Sequence, residues 1–195
     1  MQTNPLLQRL TFLAEIDRLK SVVRQSPILD QSRKENSAEH SWHLAMFALL
    51  LKDYASSNVN IERVIKMLLI HDIVEVDVGD TPIHGASSSS EQHSLEVQAA
   101  RRLFGLLPNE QGTQLLALWH EFEEAQTEDA LFAKALDRVQ PLLANVRTGG
   151  GTWTESKVTF EQVLQRYGPT IERGSPALWG LCKELSEQHF ASKEI

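Results

Sequence analysis

Cysteine is almost missing from this sequence, and so is any long uninterrupted run of apolar residues. Cys182 is the single cysteine among 195 residues, so no disulfide can form within the chain. A chain without disulfides is consistent with a reducing cytosol. No apolar stretch approaches the roughly 20 residues that a membrane-spanning helix needs. We therefore expect a cytoplasmic protein without a membrane segment.

Positive charge is also in short supply. The chain has 19 lysines and arginines against 26 aspartates and glutamates, for a net charge of -7. This balance argues against a general nucleic-acid or membrane-surface binder. Any phosphate-binding site must then be locally basic against an acidic background. The N-terminal segment lacks a basic start and carries Arg9, Glu15 and Asp17, so we expect no signal peptide.

What the chain does contain is helical periodicity. A length of 195 residues suits one domain with a substantial core. Leucines at helical spacing predict an amphipathic helix over residues 5–20, and a polar stretch over residues 24–37 is predicted to be a connection. Asn36 and Glu39 have the spacing of a helix-start capping pair. The helix that they begin is predicted to run to about Ser56.

The rest of the chain continues the helical pattern. Asn58 or Asn60 is predicted to cap the next helix, which ends at His71 and Asp72. The segment Val76 to Ser90 is rich in glycine, proline and serine and is predicted to be a loop. Further helices are predicted over residues 91–104, 109–125, 127–147, 156–167 and 175–190. Because no period-two strand pattern or repeat stands out, the prediction is an all-α, single-domain helical bundle over residues 1–195.

The adjacent His71 and Asp72 follow the apolar helix 64–70. Burying such a pair is costly unless it is hydrogen-bonded or holds a metal, and a lone His-Asp dipeptide is more often structural. His40 and Asp137 on two other predicted helices favour the metal, because helical bundles build metal sites from facing helices. The mixed nitrogen and oxygen set suits Mn, Fe, Co, Ni or Zn, and it leaves positions open for water and substrate.

The ordered set His40, His71-Asp72 and Asp137 resembles the H…HD…D signature of the HD superfamily of metal-dependent phosphohydrolases. Longer stretches are similar to the small HD-domain 5′-nucleotidases, a subgroup that includes the bacterial 5′-deoxynucleotidases. These stretches are Glu35-Asn36-Ser37-Ala38-Glu39-His40-Ser41, His71-Asp72-Ile73-Val74-Glu75 through Gly79-Asp80, and Lys134-Ala135-Leu136-Asp137. The resemblance covers a motif core of about residues 18–145 and leaves residues 153–195 as a C-terminal helical extension. It implies an HD-domain helical bundle.

The resemblance also assigns roles to residues. It implies one divalent metal ion, with Mn2+ or Co2+ favoured and Ni2+, Zn2+, Fe2+ or Mg2+ as other choices, held by His40, His71, Asp72 and Asp137. Glu75 matches a catalytic position and is expected to orient or deprotonate the attacking water, and Asp80 to position water or protonate the leaving oxygen. Arg24 is the candidate phosphate-contacting arginine, after a one-residue shift. Lys134 shares a helix face with Asp137 and is the second substrate-binding candidate.

The expected function is hydrolysis of (deoxy)nucleoside 5′-monophosphates to nucleoside and phosphate. Gln25 and Ser26 follow Arg24, where sugar-selective deoxynucleotidases carry tryptophan, so the choice of sugar stays open. One alternative is an HD hydrolase of an alarmone, a cyclic dinucleotide or a deoxynucleoside triphosphate. Another is a metal-free helical interaction domain. Similar proteins are often dimers, so the resemblance implies a homodimer with a small-molecule nucleotide substrate and no nucleic-acid partner.

Other residues that can carry chemistry are predicted to have structural roles. His43 lies three residues after His40, and the metal set is complete without it. His84 is expected to be a surface loop residue, and Trp119 is expected to pack rather than catalyse. Gly149-Gly150-Gly151 is not followed by Lys-Ser or Lys-Thr, so this stretch is not a phosphate-binding loop.

Overall fold

The computed structural model describes residues 4–81 and 90–192, in which helices follow one another along the chain. The α-helices are α1 (Pro5–Ile16), α2 (Ser37–Leu50), α3 (Ile61–Ile70), α4 (Glu75–Val78), α5 (Ser90–Phe104), α6 (Asn109–Glu124), α7 (Glu128–Arg147), α8 (Gly151–Glu155), α9 (Phe160–Gly174) and α10 (Pro176–Ala191). Short 3-10 turns cover Asp17–Ser21, Lys52–Tyr54 and His71–Val74. The all-α prediction is confirmed. None of the helices in the described ranges has the length and apolarity needed to cross a membrane.

A small β-hairpin replaces the connection that was predicted over residues 24–37. Strand β1 (Val23–Pro27) runs antiparallel to β2 (Lys34–Asn36), with Val23 opposite Asn36 and Pro27 opposite Lys34. The prediction was wrong here because strands this short cannot display a period-two pattern. The hairpin matters because β1 carries Arg24.

The N-terminal caps fix where the helices around the site begin. The predicted pair is confirmed at α2, where the Asn36 side chain accepts from the Glu39 N–H at 3.0 Å and the Glu39 carboxylate accepts from the Asn36 N–H at 3.2 Å. Asn60 caps α3 by accepting from the Arg63 N–H at 3.2 Å. Within the predicted loop Val76 to Ser90, residues 76–78 belong to α4 and Ser90 begins α5, while residues 82–89, His84 among them, lie outside the described residues.

Helix α7 lies at the centre of the bundle. It packs against α2, α3, α6, α9 and α10. Phe132 and Leu136 on α7 are completely buried. Helix α9 comes very close, since a Cβ on Gly174 would lie only 2.2 Å from the Leu131 carbonyl oxygen. Large side chains therefore fill the faces of α7, while a glycine permits the closest approach.

The chain turns sharply after α7 and folds back as α8. All three residues of Gly149–Gly151 have positive φ, at 69°, 117° and 40°, a backbone region that favours glycine. The Asn145 carboxamide oxygen accepts from the Thr152 hydroxyl at 2.9 Å and from the Trp153 N–H at 3.3 Å. This turn holds α8, a helix that the sequence did not predict, against α7 and β1.

Candidate metal centre and active site

Histidines and aspartates from three parts of the bundle meet at one buried point. His40 lies in α2, His71 and Asp72 lie in the turn after α3, and Asp137 lies in the middle of α7. One donor atom each from His40, His71 and Asp72 lies within 4.8 Å of the others. Asp137 Oδ1 is 3.0 Å from His40 Nε2 and 3.7 Å from His71 Nε2. The four residues that the sequence predicted as metal ligands therefore lie close together.

The outer ring nitrogen of each histidine has its own acceptor. His71 Nδ1 donates to the Leu68 carbonyl oxygen at 2.9 Å, and His40 Nδ1 donates to Gln140 Oε1 at 3.1 Å. Gln140 Nε2 in turn donates to Glu35 Oε1 at 2.9 Å, which fixes the orientation of the carboxamide. With a proton on each Nδ1 atom, each Nε2 atom faces the centre and can present a lone pair to a metal ion in place of a proton, as metal-binding histidines do.

The donor set fits a divalent metal. His71 Nε2 is buried and makes no hydrogen bond in the described part of the chain, although Asp72 Oδ1 lies 3.0 Å away. Burial lowers the pKa of His71, but the charges of Asp72 and Asp137 outweigh it and raise the value to about 10. Burial would raise the pKa of Asp72, but His71 and Arg24 lower it to about 2. A buried centre that is this anionic demands a cation.

The predicted catalytic carboxylates lie beside the centre. The Ser37 hydroxyl donates to Glu75 Oε2 at 2.5 Å. Burial and the charge of Asp72 raise the pKa of Glu75 to about 9. Arg24 Nη1 donates to Asp72 Oδ2 at 3.0 Å and lies 3.4 Å from Asp80 Oδ1. Burial raises the pKa of Asp80, although Arg24 opposes the shift.

These groups open onto a cavity of about 380 Å³. Its walls come from β1, the turn after α3, α6, α7, α8 and α9, and its lining includes His71, Asp72, Glu75, Asp80, Asp137 and Arg24. Lys134 also lines it, with Nζ 3.0 Å from Glu123 Oε1 and 3.9 Å from the centre of the Phe122 ring. The structure therefore brings both predicted substrate-binding cations to the cavity, each already paired with an acidic side chain.

Several residues around the site were missed by sequence reasoning. Arg138 lines the cavity and its Nη1 donates to Asp137 Oδ2 at 3.2 Å. Thr152 and Glu155 of α8 also line the cavity. Adjacency to Asp137 was the only signal for Arg138, and it is weak because successive residues on a helix face different directions.

Two residues that were expected to be structural lie close to the ligands. Trp119 is fully buried, and its Nε1–H donates to the His71 carbonyl oxygen at 3.1 Å. His43 lies behind the centre, with Nδ1 3.4 Å from Gln140 Nε2 and its ring edge-on to Phe47 at 4.9 Å. Trp119 therefore braces the turn that carries His71, and His43 packs against the carboxamide that holds His40.

Buried histidines and aspartates on facing helices define a class of helical metal-binding protein. A family model described as the HD domain matches residues 16–179. That range is most of the chain, so the chain belongs to the HD-domain family. The resemblance found in the sequence is confirmed, and with it the dependence of this fold on a metal.

Curated relatives carry the name of one activity. The chain is 30% identical over 135 residues to the 5′-deoxynucleotidase HDDC2 of Homo sapiens, in an alignment that covers 69% of this chain and 65% of that protein. It is 29% identical over 163 residues to a 5′-deoxynucleotidase of Erwinia tasmaniensis, covering 78% of this chain and 82% of that protein. The chain thus spans slightly less than two thirds of the length of the human relative.

Solved structures share the fold. A protein of Magnetospirillum magnetotacticum, described as a predicted metal-dependent phosphohydrolase, superposes with a TM-score of 0.89 at 49% sequence identity, covering 95% of each chain. A conserved hypothetical protein of Pyrococcus furiosus superposes with a TM-score of 0.62 at 18% identity, covering 91% of this chain and 99% of that chain. The second likeness shows the fold alone.

Proposed function

We propose that this protein is a metal-dependent phosphohydrolase that converts (deoxy)nucleoside 5′-monophosphates to nucleosides and inorganic phosphate. The convergence of His40, His71, Asp72 and Asp137 beside Glu75 carries the proposal. The cavity of about 380 Å³ falls in the size range of small-molecule sites. The names of the curated relatives support the same substrate class.

His40, His71, Asp72 and Asp137 would hold one divalent ion, and we propose Mn2+ or Co2+ ahead of Ni2+, Zn2+, Fe2+ or Mg2+. Two nitrogens and two carboxylates disfavour Mg2+, which prefers oxygen alone, and the preference for Mn2+ or Co2+ over the other ions rests on the family resemblance. When bound, the ion supplies Lewis-acid polarisation of a phosphoryl group and of water.

Protein side chains would handle the protons. Glu75 orients the attacking water and takes its proton as the water oxygen bonds to phosphorus. Burial and the charge of Asp72 hold the pKa of Glu75 at about 9, and a bound metal ion would offset that charge and lower the pKa toward that of a working base. The bond between phosphorus and the 5′-oxygen then breaks. Asp80, whose pKa is also raised, gives that oxygen a proton. Arg24 and Lys134 stabilise the charge that develops on the phosphoryl oxygens.

The test is phosphate release from a panel of ribo- and deoxyribonucleoside 5′-monophosphates by chelated protein with single metals added back. We expect metal-restored release that Asp72→Ala abolishes and Glu75→Gln reduces by about 100-fold or more, as loss of a general base does. Gln25 and Ser26 line the cavity, so the same panel measures the choice of sugar. Release of pyrophosphate or triphosphate from other nucleotides, with none from monophosphates, would contradict the proposal.

We also propose a homodimer. Four leucines on α1, Leu6, Leu7, Leu10 and Leu13, are each more than half exposed and support a subunit contact there. Light scattering of the wild type and of Leu10→Glu tests the assembly. The buried free thiol of Cys182 supports a reducing, cytoplasmic compartment.

A further inference from the structure

Among the described residues, the cavity lining includes three lysine or arginine side chains, and each contacts a carboxylate to a different extent. Arg24 lies 3.0 Å from Asp72, 3.4 Å from Asp80 and 3.6 Å from Glu35, with only 13% of its side chain exposed. This guanidinium is surrounded by the negative charge that it neutralises. Its charge is therefore already shared among three carboxylates, although its buried Nε makes no hydrogen bond in the described part of the chain.

Lys134 is committed in a different way. Its ammonium group is paired with Glu123 at 3.0 Å and stands over the Phe122 ring at 3.9 Å, with 17% of the side chain exposed. One anion and one aromatic face already share the charge of this cation. Lys134 therefore offers a phosphate less than a full unpaired charge.

Arg138 is the cation with capacity to spare. Among the residues that the structure describes, its polar contact is a single one, from Nη1 to Asp137 Oδ2 at 3.2 Å. Thirty per cent of its side chain is exposed at the cavity. An arginine has five N–H donors in a planar fork, so most of them are available to a ligand.

The contact with Asp137 also puts Arg138 next to the metal centre. Asp137 Oδ1 faces His40 Nε2 at 3.0 Å, while its other oxygen accepts from Arg138. One carboxylate group therefore separates the guanidinium from the point where the ligands meet. A phosphate placed at that point has to approach Asp72, Asp137, Glu75 and Asp80, and a nearby cation offsets their repulsion.

We propose that Arg138 is a substrate-binding residue that donates N–H groups to the phosphate of the substrate, a role that rests on the proposed function. Arginine suits this task because its fork matches two oxygens of a phosphate. Asp137 holds the guanidinium in place beforehand, so little side-chain freedom is lost on binding. Arg138 supplies positive charge that Arg24 and Lys134, which are paired with carboxylates, supply only in part.

The test uses inorganic phosphate as the probe and calorimetric titration of the Mn2+-saturated protein as the readout. We expect Arg138→Gln to weaken phosphate binding by about 10- to 100-fold, the range for charge-assisted hydrogen bonds. Arg138→Lys should lose less, because it keeps the charge without the fork. The control is Arg147→Gln, an exposed arginine on the same helix that does not line this cavity.

The alternative is that Arg138 only orients Asp137. In that case Arg138→Gln changes the affinity for Mn2+ and leaves phosphate binding to the saturated protein as in the wild type, which overturns the proposal. Should Arg138→Gln fail to fold, Arg138→Lys and Arg138→Met answer the same question. Phosphate affinity in those variants equal to that of the wild type also overturns it.

This titration tests the proposed role of Arg138 separately from the proposed function of the protein. Binding of phosphate needs no turnover, so Arg138-dependent binding without release from any monophosphate refutes the nucleotidase and leaves the anion site standing. Release by the wild type, with KM and phosphate affinity unchanged in Arg138→Gln, refutes the role of Arg138 alone. No phosphate binding to the Mn2+-saturated wild type would also refute that role.

Discussion

At the scale of single residues, the candidate site depends on the proposed ligands and also on the side chains that hold them in place. His71 is held by a backbone oxygen at 2.9 Å, which any sequence could supply at that point of the turn. His40 is held by the Gln140 carboxamide, which is 5% exposed and is itself held by Glu35. Gln140 is therefore a positioning residue with a specific partner on each side.

We predict that Gln140→Met weakens metal binding by about 10-fold or more, the effect of removing the hydrogen-bond partner of a ligand. The substitution keeps the volume but removes the acceptor for His40 Nδ1 and the donor to Glu35. Titration of chelated protein with Mn2+ measures the change. Gln165→Met, an exposed position on α9, is the control and should bind as the wild type does. Equal affinity in Gln140→Met would show that His40 needs no such support.

At the scale of elements, the sequence predicts the long helices and misses the short pieces. α7 spans 20 residues, enough for an apolar stripe to repeat several times, whereas β2 has three residues and α8 has five. Short elements take their conformation from what they pack against, so local sequence carries little signal for them.

The same limit applies to the site. The four candidate ligands could be predicted because their order matches a known signature. Gln140 could not, because its acceptor Glu35 lies 105 positions away and only the folded packing of α7 against β2 and α2 brings the two together. Arg138 could not be predicted for a similar reason. Its proposed role depends on its contact with Asp137 Oδ2 and on its position in the cavity lining, and only the fold shows these.

The glycine turn before α8 gives an element-scale prediction. Gly151 has φ of 40°, and a Cβ there would lie 2.8 Å from both Asn145 Oδ1 and Thr148 Oγ1. Gly149 has φ of 69° but no atom within 4 Å of a Cβ. We expect Gly149→Ala to cost about 1 kcal/mol and Gly151→Ala about 2 to 4 kcal/mol, because only the second adds a clash to the backbone strain. Urea unfolding compares them, and equal costs would mean that the turn relaxes freely.

At the scale of the whole molecule, the candidate metal centre brings together segments that are far apart in the chain. The proposed ligands come from α2, the turn after α3 and α7, and they meet only in the folded bundle. An ion that binds the native state alone stabilises it by about 2.7 kcal/mol at 100 times its dissociation constant. Cys182 on α10 does not line the cavity and can report on opening of the bundle. It is buried, and burial raises the pKa of its thiol to about 12.

We predict that Cys182 is inert to an aromatic disulfide reagent at pH 8 and is labelled only when the bundle opens. A pKa above the working pH leaves the thiol protonated and unreactive, and α10 packs against both α7 and α9. Mn2+ at 100 times its dissociation constant should then slow labelling by about 100-fold and raise the thermal midpoint by about 5 to 11 °C. Asp72→Ala should show neither effect. A raised midpoint with unchanged labelling would mean that α10 opens on its own, independently of the helices that hold the metal.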